Sequence, residues 1–177
     1  MSRSSLIAPH GGSLVNRFVP ESDTPSMRAK AEGLPAITLS AKQACDLEMI
    51  AIGAFSPLTG FVNKADFEGI CNHMRLADGT IWPIPITLAV DDEVKSTLVE
   101  GSQAALYHSD GTLLAIMDVD EVFAHDKQLE IPSVFRTEDD AHPGVAAVRE
   151  EGDWLVGGPI HVLSVVPDHE PGEQFTE

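Results

Sequence analysis

The sequence predicts an α+β domain: a small barrel of short, mostly antiparallel strands with two or three helices packed alongside. Two segments, beginning near residues 41 and 64, carry apolar residues at helical spacing. Asp110-Gly111 lies between two β-rich runs and is a strong hairpin signal. A last β-rich stretch, residues 154–166, predicts one or two closing strands.

Length and charge restrict the class of protein. A chain of 177 residues with 43% hydrophobic residues suits one domain with a sizeable core. It contains 28 acidic and 11 basic residues, so its net charge of −17 repels phosphate backbones and anionic lipid. We therefore expect no nucleic acid partner.

Membrane insertion and secretion are not expected either. No run approaches the roughly 18 apolar residues of a membrane helix, and Pro9 ends a short apolar start too early for a secretory signal. Cys45 and Cys71 lie in helical patterns without C-x-x-C spacing, which predicts two small core residues in a reducing cytoplasm.

The first segment of the chain is predicted to hold a short strand at Leu6-Ile7, followed by a turn over residues 9–13. His10 could be a ligand or a base, yet no second histidine stands at metal spacing, and Gly11-Gly12 lacks the Lys-Ser/Thr of a P-loop. We interpret both as structural. Residues 20–33 are polar and predict a surface loop with one helical turn.

The first helix with a clear start signal is predicted to begin after Ser40, which forms a capping-box pattern with Gln43. Gly53 ends it. The second helix opens at Asn63 or Lys64, and its apolar face is expected to contain Phe67, Ile70, Cys71 and Met74.

Between these helices, residues 53–62 read G-A-F-S-P-L-T-G-F-V. Gly53 can take the positive φ that closes a helix, Pro57 fixes its own φ, and Gly60 permits a second reversal. The apolar side chains of Phe55, Leu58 and Phe61 can anchor such a loop in a core. Because it offers no charged or catalytic group, we interpret it as a structural corner rather than a ligand loop.

The middle of the chain is predicted to be β. Asp78-Gly79 indicates a turn, and the prolines within residues 81–90 place that β-rich run at an edge or bulge. Residues 91–93 are interpreted as a helix N-terminus or exposed turn, since their spacing is not that of an EF-hand. Residues 103–108 and 112–119 form the predicted hairpin, with Asp118 on its solvent-exposed face.

Towards the end, residues 125–136 are predicted to be partly helical and broken by Pro132. Residues 137–145 are predicted to be a polar loop closing on His142-Pro143-Gly144. The closing strands surround Gly157-Gly158-Pro159. No Ser-His-Asp arrangement, H-x-x-x-H, G-x-G-x-x-G or Walker pattern can be recognised.

Five motifs in order carry a family resemblance. They read P-H-G-G-S-L-V-N-R from Pro9, I-G-A-F-S-P-L-T-G-F from Ile52, R-L-A-D-G-T-I-W-P-I-P-I-T-L from Arg75, H-P-G-V from His142 and L-V-G-G-P-I-H-V-L from Leu155. On these residues the chain resembles the amino-terminal domain of sulfate adenylyltransferase, or ATP sulfurylase. The resemblance implies a PUA-like β-barrel over residues 1–166 and the start of a linker at 167–177.

In that family a following catalytic domain carries Q-x-R-N, H-x-x-H and G-R-D motifs, none of which occurs in these residues. The resemblance therefore implies no catalytic, substrate-binding or metal residue here and no cofactor in this chain. ATP and magnesium would belong to the parent enzyme, a nucleotidyltransferase of sulfate assimilation or sulfur oxidation. The expected role is a scaffold, inactive alone, whose partners are the catalytic domain and possibly further copies of the chain.

The candidate interdomain positions come from the same motifs. We expect His10-Gly11-Gly12 and His142-Pro143-Gly144 to contribute because their glycines allow close backbone approach. Four arginines near the motifs, Arg17, Arg75, Arg136 and Arg149, are expected to be surface or interdomain partners rather than a phosphate clamp. The full set of candidates is His10, Gly11, Gly12, Arg17, Gly53, Phe55, Pro57, Leu58, Gly60, Phe61, His142, Pro143, Gly144, Gly157 and Gly158.

Two alternatives remain at this point. One is a free-standing PUA-like module that binds RNA, against which the net charge argues. The other is a free-standing small-ligand or regulatory protein of sulfur metabolism, for which the sequence supplies no specific pocket.

Overall fold

The computed structural model describes residues 7–167. In this range the helices are α1 Thr24–Ala31, α2 Ala41–Ala51, α3 Lys64–His73, α4 Asp92–Thr97, α5 Lys127–Phe135 and α6 Pro143–Glu150. The strands are β1 Ala36–Thr38, β2 Gly60–Phe61, β3 Ala89–Val90, β4 Gln103–Tyr107, β5 Leu113–Asp118, β6 Glu121–Ala124 and β7 Trp154–Val162. The α+β class is confirmed, but the described residues form six helices rather than two or three.

Strand β7 lies at the centre of the sheet, whose main order is β1-β4-β5-β7-β2. Its first half pairs with β3 and β6, and its second half pairs with β5 and β2. The change of partner strands occurs at Gly157 and Gly158. Because β7 changes partners along its length, the sheet curls towards a barrel. All pairs are antiparallel except β1 with β4, so the expected mostly antiparallel arrangement is confirmed.

The main core lies between this sheet and helices α2 and α3. The predicted capping box is present: Ser40 Oγ accepts from Gln43 N at 3.2 Å, and Gln43 Oε1 accepts from Ser40 N at 2.9 Å. Helix α2 buries Leu47 and Ile50 completely. Burying each such side chain stabilises the fold by about 1.5–3 kcal/mol. The helical spacing of apolar residues in the sequence therefore identifies the buried side of α2 correctly.

Helix α3 begins after Asn63, as predicted, and its side chain caps the helix by accepting from Asp66 N at 2.9 Å. Phe67 and Ile70 are buried, but Met74 is 45% exposed. Met74 adopts a left-handed conformation that ends the helix, which turns its side chain out of the i+7 position expected for the apolar face.

The two cysteines differ in their exposure to solvent. Cys71 is buried, and burial, with a smaller effect of the charges of Glu130 and Asp126, raises the pKa of its thiol to about 12. Cys45 is exposed, so the prediction of two core cysteines was wrong for this residue. It lies on α2 beside the buried Ala44, at the solvent edge of the helix.

Residues 20–33 hold a full helix, α1, where the sequence indicated a loop with one turn. Pro25 lies in its first turn, where a missing N–H has no cost. Helix α1 packs against the outer face of the sheet, and Ala31 joins Ala105 and Ile116 in a second small core. This tertiary contact, rather than amphipathic periodicity, holds the helix.

The β-rich reading of residues 81–90 was too long. Only Ala89–Val90 form a strand, preceded by an isolated bridge between Arg75 and Ile81. Pro83 and Pro85 have no N–H for a ladder, so the segment between them and β3 is irregular. The turn at Asp78-Gly79, the helix N-terminus at Asp91 and the hairpin around Asp110-Gly111 are confirmed.

The last third contains two further differences. Helix α5 continues through Pro132 instead of breaking there. His142 caps a new helix, α6, rather than closing a loop, because Pro143 and Gly144 occupy its first turn. The two helices share a third apolar cluster made by Ile131, Val145 and Val148, which stabilises a helix that proline alone would disfavour.

The strand expected at Leu6-Ile7 is absent at Ile7, and Leu6 lies outside the described residues. The predicted linker, residues 167–177, falls almost entirely outside them, so the domain division stays a prediction. No helix in residues 7–167 is long and apolar enough to cross a membrane.

Candidate functional site

A strap formed by residues 9–19 crosses the corner formed by residues 53–62. The strap donates from Val15 N to Ser56 Oγ at 2.9 Å and from Arg17 N to the Ala51 carbonyl at 3.1 Å. The Ser56 hydroxyl, itself buried, donates onward to the Gly53 carbonyl at 2.6 Å. Two motifs that are about 40 positions apart in the sequence are therefore joined by hydrogen bonds.

Close backbone approach explains the glycines at this junction. Gly53 has φ +83°, and a side chain there would collide with the Val15 carbonyl and with Leu14. A Cβ on Gly11 would lie 2.7 Å from Pro57 Cβ. Leu58 and Phe61 are buried beneath the junction, and Phe55 packs against the core. These contacts hold the corner in place, and the interpretation that it is structural rather than a ligand loop stays a prediction.

Trp82, from the third motif, lies against the same junction. Its ring is 6.0 Å from that of Phe55 in an edge-on arrangement and 5.9 Å from that of His10. His10 Nε2 donates to the Ile81 carbonyl at 2.7 Å, since a carbonyl can only accept. These two contacts tie His10 to residues 81–82.

The surface around this junction is apolar and exposed. We call it the apolar face and define it by five side chains: Leu14 (68% exposed), Ile52 (51%), Met74 (45%), Ile81 (58%) and Ile84 (54%).

Arg17 fixes the end of the strap to strand β7. Its Nε donates to the Ile160 carbonyl at 2.8 Å, and its own carbonyl accepts from Val162 N at 2.9 Å. Arg75 donates to the Gly79 carbonyl, and Arg149 pairs with Asp140 at 2.7 Å. These three arginines bind groups on β7, on the turn at Gly79 and at Asp140, so no two of them share an acceptor.

The remaining candidates fall in two places. Gly60 pairs with Pro159, and Phe61 pairs with Gly158, so the Gly157-Gly158 motif lies directly beside the corner. His142, Pro143 and Gly144 instead pack on α5: the His142 ring is 5.2 Å from that of Phe135. Within residues 7–167, no hydrogen bond or ring contact links this group to His10-Gly11-Gly12. A Cβ on Gly144 would also strike Phe135, so substitution there tests helix packing and not docking.

A polar network on β4, β5 and β7 was missed by the sequence analysis, which placed Asp118 on a wet face. Asp118 accepts from Gln103 Nε2 at 2.5 Å and from His161 Nε2 at 2.9 Å. Burial alone would raise the pKa of Asp118, but these two hydrogen bonds hold it below its usual value. The network has no hydroxyl or thiol partner in the described structure, so it lacks the nucleophile of a catalytic triad.

A cavity of about 640 Å³ between α5 and α6 has two cationic side chains in its lining, Lys127 and Arg149, and both are already paired. Lys127 donates to the Glu151 carbonyl and pairs with Asp153 at 2.8 Å. Arg149, on its other side, donates to the Glu138 carbonyl. No group of three or more His, Cys, Asp or Glu side chains suited to a metal occurs in residues 7–167.

Asp46, on α2, and Glu151 are two largely buried carboxylates that share Lys42 as their cationic neighbour. Asp46 Oδ2 and Glu151 Oε2 are buried without hydrogen-bond partners in the described structure, and Lys42 lies 3.9 Å from Asp46 and 3.3 Å from Glu151. Burial raises the pKa of Asp46 above its usual 3.8; Lys42 opposes this, and Glu151 adds to it. The ionised form of Asp46 is therefore disfavoured in the fold.

Asp46→Asn is expected to stabilise the protein at pH 7 by about 1 kcal/mol, or roughly 2–4 °C in Tm, because an amide removes the buried charge and can donate to Glu151. The penalty of the carboxylate grows as pH rises above 3.8, so the gain should vanish near pH 3, where Asp46 is protonated in both states. Thermal unfolding at both pH values measures this. Equal Tm values at pH 7 would contradict it, and Asp140→Asn, at an exposed site, is the control.

Comparison with known proteins agrees with this geometry. A family model described as a PUA-like domain matches residues 7–165. The chain belongs to the PUA-like domain family. The fold expected from the resemblance is thus confirmed.

Curated relatives of this PUA-like domain include a sulfate adenylyltransferase of Synechococcus sp., 42% identical over 91% of this chain and 41% of the relative. A probable bifunctional SAT/APS kinase of Sorangium cellulosum is 46% identical over 89% of this chain and 27% of its own length. The chain thus spans less than half the length of these relatives. This is the pattern expected of one domain of such a protein, and the resemblance to sulfate adenylyltransferase is confirmed.

A solved structure titled "Hexameric APS kinase from Thiobacillus denitrificans" superposes on the PUA-like domain with a TM-score of 0.71 at 30% identity. The match covers 94% of this chain and 28% of that chain. The similarity therefore extends over the whole described fold and again concerns a part of a larger protein.

Proposed function

We propose that this PUA-like domain is the scaffold domain of a sulfate adenylyltransferase. The observation that carries the proposal is the 42% identity over 91% of the chain to a protein of that name, together with the share of that relative, 41%, that the chain spans. The reaction joins sulfate to the α-phosphorus of ATP, forming adenosine 5′-phosphosulfate and releasing pyrophosphate.

The chemistry of this reaction supports a non-catalytic role for the described residues. Two anions must approach, which requires cationic groups and hydrogen-bond donors arranged around the transition state. Arg17, Arg75 and Arg149 bind carbonyl and carboxylate groups of the domain itself, in a chain of net charge −17. ATP and magnesium would be bound by the part of the enzyme that has no counterpart in these residues.

The proposed partners are that catalytic part and further copies of the enzyme. The lengths of the relatives support the first, since most of each relative lies outside the match. The solved neighbour is described as hexameric, which supports assembly into a homo-oligomer.

The test is ATP formation from adenosine 5′-phosphosulfate and pyrophosphate. Three proteins are compared: this chain alone, the Synechococcus relative with its matched segment replaced by this chain, and the same relative with that segment deleted. We expect no activity from the chain alone and activity from the chimera well above that of the deletion. Activity from the chain alone, or a chimera no better than the deletion, would overturn the proposal.

A further inference from the structure

The apolar face is unusual for a protein with this charge. Five large aliphatic side chains are exposed by 45–68%, although exposed apolar patches of monomeric proteins are usually small and often functional. Scattered exposed residues would need no explanation. Four of these five belong to three segments, residues 9–17, 51–61 and 80–88, and the fifth, Met74, ends α3.

Contacts connect the segments that carry most of the face. Leu14 covers Gly53, next to Ile52, and Gly11 packs on Pro57. On the other side of the strap, His10 holds the Ile81 carbonyl, and Trp82 N donates to the Met74 carbonyl at 2.9 Å. The strap thus connects the segments that carry Leu14, Ile52 and Ile81, Met74 is tied to them through Trp82, and Ile84 follows Trp82 by two positions.

The same segments lack negative charge. The chain has 28 acidic residues, yet residues 9–17, 51–61 and 80–88, which carry every member of the face except Met74, contain no aspartate or glutamate. Acidic groups are concentrated elsewhere, for example in residues 91–93 and 138–140. Depletion of charge at the centre of a surface is typical of an interface core.

The face is also preorganised. Ser56, Arg17 and His10 each fix the strap or the neighbouring loop by hydrogen bonds of 2.6–2.8 Å. Surfaces held in one conformation lose less entropy when they bind.

From these observations we propose that the apolar face is the surface on which the rest of the enzyme docks: a second globular domain that presents an uncharged, apolar surface. This inference rests on the proposed function. The occupant is chosen because the relatives carry more than half of their length outside the matched segment. Interfaces between domains of one chain commonly bury about 600–1,500 Å², which five aliphatic side chains and their surroundings can supply in large part.

The test uses the chimera of the Synechococcus relative and hydrogen exchange as a readout independent of activity. Amides of residues 9–17, 51–61 and 80–88 should exchange more slowly in the chimera than in the free chain. Leu14→Glu and Ile81→Glu each place a charge in the interface and should abolish this added protection and reduce ATP formation at least about tenfold.

Val99→Glu is the matched control, since Val99 is 64% exposed and lies outside the face, between α4 and β4. It should leave both readouts within about twofold of the unmodified chimera, a change below 0.5 kcal/mol. Thermal unfolding of the free variants confirms beforehand that Leu14→Glu and Ile81→Glu keep the fold.

The outcomes separate this inference from the proposed function. An active chimera in which the face gains no protection, or in which all three variants behave alike, overturns the docking face and leaves the function standing. An inactive chimera in which the amides of the face still exchange more slowly supports docking and contradicts the proposed function. If the free chain dimerises in sedimentation and Ile81→Glu makes it a monomer, a second copy occupies the face and the inference is wrong.

Discussion

Gly60→Ala is expected to destabilise the protein by about 3 kcal/mol or more, a large part of the 5–15 kcal/mol typical of a domain. A Cβ at this position would overlap the Gly158 carbonyl oxygen and lie 2.6 Å from Pro159 Cα. Both obstacles are backbone of the central strand β7, which is paired on its other side and cannot retreat. The measurement is urea-induced unfolding followed by circular dichroism.

Gly33→Ala provides the matched control for Gly60. A Cβ on Gly33 meets only the Lys30 carbonyl at 3.9 Å, and its φ is not positive. Its effect should therefore stay within about 1 kcal/mol of the wild type. If Gly60→Ala were tolerated as well as Gly33→Ala, the tight pairing of β2 with β7 would be refuted.

The second large effect concerns a buried histidine–carboxylate pair. His125 Nε2 lies 2.6 Å from Glu130 Oε2, and His125 Nδ1 lies 3.1 Å from the Gly152 carbonyl. Both residues are less than 10% exposed, at 8% and 4%. Because a carbonyl only accepts, Nδ1 carries a hydrogen, and one further proton must lie between Nε2 and Oε2. The pair links α5 to β6 inside the core.

Glu130→Ala is expected to cost about 3–5 kcal/mol, since it removes one partner and leaves buried His125 unsatisfied. Glu130→Gln should cost less, because its amide can donate to Nε2 of a neutral imidazole. The double variant His125→Phe/Glu130→Leu should be more stable than Glu130→Ala, since both polar groups are then absent. Chemical unfolding ranks the three; a loss below about 1 kcal/mol in Glu130→Ala would show that water satisfies His125.

The parts of the fold that the sequence predicts well are those specified by local chemistry. The capping box at Ser40, the Asn63 cap and the turn at Asp110-Gly111 each act within a few residues. Core periodicity in α2 and α3 is likewise visible because the main core lies on one side of both helices.

The predictions from the sequence fail where contacts between distant parts of the chain determine the local structure. Helix α1 has weak amphipathicity and is held by the outer face of β4 and β5. Helix α5 survives Pro132 because Ile131 packs on Val145 and Val148, which no local pattern reveals.

The candidate site was predicted in part. Its glycines and aromatic residues could be recognised in three separate motifs, and the structure brings those motifs together through the strap. The exposed aliphatic residues were not recognised as a group. Ile81 and Ile84 look like ordinary strand residues in a sequence, but both are exposed, and Ile84 lies in the irregular backbone between Pro83 and Pro85.

Strand β7 also determines when this domain can fold during synthesis. It pairs with β2, β3, β5 and β6, yet it is made after all of them. Until residues 154–162 leave the ribosome, the emerging chain can build the β4–β5 hairpin and its helices but cannot close the sheet. Nascent chains that expose unpaired strand edges are prone to aggregate and attract chaperones. A translation pause or truncation just before Trp154 should therefore be far more damaging than one after Val162.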